Sequence, residues 1–135
     1  MAVTSSEAER IVDDILSTND DDILAISIID MRGNTLAAKS KESFKEAFGV
    51  TRDGDKKYGG TLALAALSVV NQVRNIFEEA QAIITIHKNC KLMLLPVPSY
   101  QVLVGLVLQR SVNAEDYNFA NKIERLVADT LWQIR

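Results

Sequence analysis

Residues 101–109 read Gln-Val-Leu-Val-Gly-Leu-Val-Leu-Gln, an apolar run rich in β-branched side chains and well short of the roughly 18 residues a membrane-spanning helix needs. A strand with one wet face alternates apolar and polar residues; this one does not, so both of its faces are expected to be out of water. It belongs in the middle of a sheet with one layer packed above it and another below, and every other element is placed relative to it. Gly105 in the middle of the run marks a bulge or a close approach of another backbone.

The rest of the chain supplies the neighbours. Thr4, Ser5 and Ser6 offer helix N-caps, and Ser6 with Glu9 has the spacing of a capping box. Ala8, Ile11, Val12, Ile15 and Leu16 then make one apolar stripe at helical spacing, which the polar run 17–22 ends. A strand follows over 23–30, with Ala25 and Ser27 small on one face. Asp30-Met-Arg-Gly-Asn34 is turn chemistry, since Gly33 and Asn34 tolerate positive φ, and the chain is expected to reverse there into a short strand over 35–38.

Residues 39–57 break the pattern with six basic and four acidic side chains, and they read as a partly helical excursion pinned by Phe44, Ala47, Phe48 and Val50. Gly59 and Gly60 then open the longest helix, expected over 61–79. Its core stripe is Leu62, Ala66, Val69, Val70, Val73, Ile76 and Phe77, yet Ala63, Leu64, Leu67 and Ser68 leave the opposite side nearly as apolar. A helix apolar almost all round is covered twice, here by the sheet and by a second subunit. A third strand is expected over 82–87, a tight polar turn over 88–91, and a fourth strand over 92–97 ended by Pro96 and Pro98. After the central strand, Asn113 with Asp116 caps a last helix carrying Tyr117, Ala120, Ile123, Val127, Leu131 and Ile134 at helical spacing.

Short links between the last three strands require antiparallel pairing, and double-faced apolarity requires helices on both sides. The expected fold class is α/β of the α+β kind: a three-layer α/β/α sandwich around a five-stranded antiparallel sheet. A chain of 135 residues suits one domain over 1–135, with 1–4 flexible. A net charge of -3 gives no reason to expect nucleic acid. One cysteine, Cys90, cannot form an internal disulfide, and the start of the chain lacks signal-peptide character. A cytoplasmic protein without a membrane span is expected.

Chemistry is sparse. His87 is the single histidine, so a His-based metal cluster is excluded and any Ser/His/Asp arrangement depends on it alone; at a strand end it reads as structural. Cys90 between Lys88 and Lys91 has neighbours that favour a thiolate, but no base, and reads as a bystander. Gly59-Gly60 lacks the Lys-Ser/Thr that follows in a phosphate loop, and the acidic run 20–22 lacks the glycine and glutamate spacing of a calcium loop. The expectation is no catalysis, no cofactor and no metal. What stands out instead is surplus apolar surface on the long helix and an edge-like strand, 83–87, beside it.

The order of elements, the Asp30-x-x-Gly33 hairpin, the alanine-rich helix at 62–70 and the strand trio over 83–108 together resemble the roadblock family, the dynein light-chain type of small scaffold, in its prokaryotic stand-alone form. The resemblance implies a profilin-like sheet ordered 2-1-5-4-3 and a homodimer in which the long helix and third strand pair with their copies. Carried onto this sequence, that interface uses Ala63, Leu67, Val70, Asn71 and Arg74 on the helix and Ile83, Thr85 and His87 on the strand. It also implies a non-catalytic protein that binds or regulates a small Ras-like GTPase or assembles a cytosolic complex. The alternative is a small-ligand-sensing module of PAS- or profilin-like shape, for which Ser27, Thr85 and Tyr100 are the polar candidates.

Overall fold

The computed structural model describes residues 2–18, 21–41 and 82–135. Along them run α1 (Ser5–Thr18), β1 (Ile23–Asp30), β2 (Thr35–Ser40), β3 (Ile83–Ile86), β4 (Cys90–Val97), a 3-10 turn (Pro98–Tyr100), β5 (Val102–Gln109) and α2 (Tyr117–Ile134). The long helix expected over 61–79 lies outside the described residues, as does the excursion expected over 39–57 from residue 42 on; residues 39 and 40 belong to β2 instead.

The five strands form one antiparallel sheet in the order β2-β1-β5-β4-β3. β5 takes the middle, as its unbroken apolarity demands, with β1 on one side and β4 on the other. One face presents Ile26 and Ile28 of β1, Val104, Leu106 and Leu108 of β5, and Met93, Leu95 and Val97 of β4. Ala8, Ile11, Val12 and Ile15 of α1 and Ile123, Val127 and Leu131 of α2 close over them to make one continuous core. Both described helices lie on this face, and α1 touches α2, β1 and β2. Burying an Ile or Leu side chain of this kind contributes about 1.5–3 kcal/mol.

The opposite face carries Ala25, Ser27 and Ile29 of β1, Leu103, Gly105 and Val107 of β5, and Leu92 and Leu94 of β4, in register across the strands. Ile29 and Leu103 form a small buried cluster of their own there. Register runs unbroken through Gly105, so no bulge sits there. The close approach is by a side chain: a Cβ at Gly105 would stand 2.7 Å from Ser27 Oγ. The absence of a Cβ at 105 is what lets Ser27 face β5 at that point.

Several boundaries differ from the sequence expectation. The capping box at the start of α1 is Thr4 with Glu7, not Ser6 with Glu9: the Thr4 amide donates to Glu7 Oε1 at 3.0 Å, and the Glu7 amide donates to Thr4 Oγ1 at 3.2 Å. α2 is capped by Asp116 itself, whose carboxylate accepts from the Asn118 amide at 2.9 Å; Asn113 belongs to the preceding turn. β2 runs two residues beyond the expected 35–38. β4 begins at Cys90, which shrinks the turn to Lys88 and Asn89 and moves Lys91 from the turn into the strand. β4 also continues through Pro96, paired with Leu103; among the described residues β3 reaches only to Leu94, so no ladder there is spoiled by the proline.

Where turn chemistry is strongest, the expectation holds. Asp30 closes the β1–β2 hairpin by accepting the amides of Arg32 and Asn34, each at 2.9 Å, while Gly33 takes φ 87. Partial burial raises the Asp30 carboxyl pKa, but the hydrogen bonds from Asn34 and Arg32 outweigh it and hold the group below its ordinary value.

Residues near the start of the chain meet the end of α2. Val3 is buried in the core, and Arg135 donates from Nη2 to the Ala2 carbonyl at 3.0 Å. The same guanidinium grips Glu7 through Nε at 2.8 Å and stands 5.9 Å from the centre of the Tyr100 ring. Farther along the helix seam, Thr130 Oγ1 donates to Asp14 Oδ2 at 2.8 Å.

Candidate functional site: the β3 edge

Among the described residues, β3 bonds to β4 alone and is a free sheet edge. The turn fixes the phase of that edge. His87 donates its amide to the Cys90 carbonyl at 2.9 Å, so His87 turns its backbone groups toward β4. In an antiparallel ladder successive residues alternate, so Thr85 and Ile83 also face β4, and the N–H and C=O of Ile84 and Ile86 point away from it.

The side chains divide by sheet face. Ile84 and Ile86 share the helix-covered face with Met93 and Lys91, opposite which they lie in register. Ile84 packs against the core, while Ile86 is 55% exposed, a large apolar side chain in water. Ile83 and Thr85 lie on the other face beside Leu94 and Leu92. Thr85 Oγ1 and His87 Nε2 are 2.9 Å apart and share a hydrogen bond on the exposed side of the strand. Residues 83–86 carry no charge, no proline and no bulge, the features by which edge strands ordinarily discourage pairing.

Of the eight interface residues carried over by resemblance, Ile83, Thr85 and His87 thus lie together on or beside this edge. Ala63, Leu67, Val70, Asn71 and Arg74 lie outside the described residues. Sequence reasoning passes over Ile84 and Ile86, whose backbone groups are the ones on offer. The signal is the two-residue turn at Lys88 and Asn89, which sets which strand residues turn outward.

The other candidates do not converge. Burial pushes the Cys90 thiol pKa up, against the thiolate its flanking lysines favour. One of those lysines is occupied elsewhere: Lys91, almost wholly buried, donates from Nζ to the Val112 carbonyl at 2.7 Å and stands 3.5 Å from Glu115. Ser27 and Thr85 sit on one face but on β1 and β3, three strand spacings or roughly 14 Å apart. Tyr100 lies under the Arg135 guanidinium instead. An open groove between α1 and β2 is lined by Asp13, Leu16, Ser17, Lys39, Ser40 and Lys41, and Lys39 is held there by Asp13 at 3.0 Å. Among the described residues no group of three or more His, Cys, Asp or Glu side chains is placed to hold a metal, and no helix is long and apolar enough to cross a membrane.

No protein-family model matches the sequence, and no curated protein matches it. Solved structures do. The gliding protein MglB of Thermus thermophilus superposes with a TM-score of 0.67 at 14% identity, over 96% of this chain and 94% of that one. MglB of Myxococcus xanthus gives 0.66 at 11% identity, over 96% and 88%. A Roadblock/LC7 domain from Streptomyces avermitilis gives 0.61 at 8% identity, over 99% and 98%. With the strand order β2-β1-β5-β4-β3 and the helices packed on it, the chain has the roadblock-type fold.

Proposed function

We propose that this chain is a non-catalytic, homodimeric scaffold that engages a small Ras-like GTPase or assembles a cytoplasmic complex. The uncharged β3 edge carries the reading: among the described residues its outer backbone groups have no partner strand, it adds an exposed Ile86 on a roadblock-type sheet, and such an edge is stable in solution when another strand covers it. The surplus apolar stripe on the sequence of the long helix adds to it. The dimer interface on this reading comprises Ala63, Leu67, Val70, Asn71 and Arg74 with Ile83, Thr85 and His87. The GTPase partner follows from the roadblock resemblance, which the fold supports.

Two measurements test the proposal. Light scattering at micromolar concentration gives twice the chain mass; a stable monomer refutes the dimer. A pull-down from the native cytosol retrieves a small GTPase; repeated recovery of none, with the dimer intact, refutes the partner class and leaves the scaffold.

A further inference from the structure

We draw no further inference here: the strongest candidate, the outward face of α2 on which Tyr117 is 62% and Trp132 87% exposed, carries nothing, because no feature among the described residues shows what covers it.

Discussion

Giving Gly105 a side chain tests how closely β1 and β5 approach. A Cβ there would meet Ser27 Oγ at 2.7 Å, with Ile29 Cδ1 at 3.5 Å and Leu94 Cδ2 at 3.6 Å in ordinary contact. The serine is the whole obstacle. Overpacking of this kind costs about 1–3 kcal/mol, and replacing a strand glycine returns about 0.5–1 kcal/mol of backbone entropy, so Gly105→Ala is expected to lose about 1–2 kcal/mol. Ser27→Ala removes the obstructing oxygen, so the double variant recovers most of the loss, with a coupling of about 1 kcal/mol or more. Urea unfolding at one fixed chain concentration reads these values. Far-UV circular dichroism is the suitable signal, because Trp132 is 87% exposed and its fluorescence changes little on unfolding. A neutral or stabilising Gly105→Ala, or strictly additive effects in the double variant, refutes the reasoning.

Three further outcomes follow from named contacts. Lys91→Met is expected to cost about 1 kcal/mol in the same urea assay, because the Val112 carbonyl loses its ammonium donor but keeps the Ala114 amide at 3.0 Å; faster hydrogen exchange over 112–116 accompanies it. The Glu7 carboxyl is held down to about 2 by its hydrogen bond from Arg135, then by the Thr4 amide, against an ordinary 4.5. Since the folded value is the lower one, this stabilisation is complete above pH 4.5 and is lost as pH falls toward 2. The gap in Tm between the native chain and Arg135→Gln should therefore be widest above pH 4.5 and shrink toward pH 2, and a gap independent of pH contradicts it. On the dimer reading, Leu67→Glu buries an unpaired carboxylate at a cost of several kcal/mol and splits the dimer in light scattering; an intact dimer removes Leu67 from the interface.

The strands are legible in the sequence because their signals are local. The run over 101–109 has no reading but a central strand, and Asp30 with Gly33 fixes a hairpin through bonds that span four residues. What stays hidden is decided at long range. Thr4 with Glu7 and Ser6 with Glu9 have the same capping spacing, and the choice falls to Glu7, which Arg135 grips from the far end of the chain. Lys91 reads as a turn residue until the Val112 carbonyl, 21 positions on, is seen to receive its ammonium. The candidate edge is half legible: the sequence marks Ile83, Thr85 and His87, whereas the direction of the backbone groups at Ile84 and Ile86 follows from a turn of two residues where the polar run suggests four.

The Arg135 clasp has a topological consequence. It brings residue 135 to the Ala2 carbonyl, so the two lie side by side on the helical side of the sheet. With the Thr130–Asp14 bond, the clasp fastens α1 to α2 at two points, so a cut at the Lys88–Asn89 turn would leave two pieces still held to each other through the helical layer.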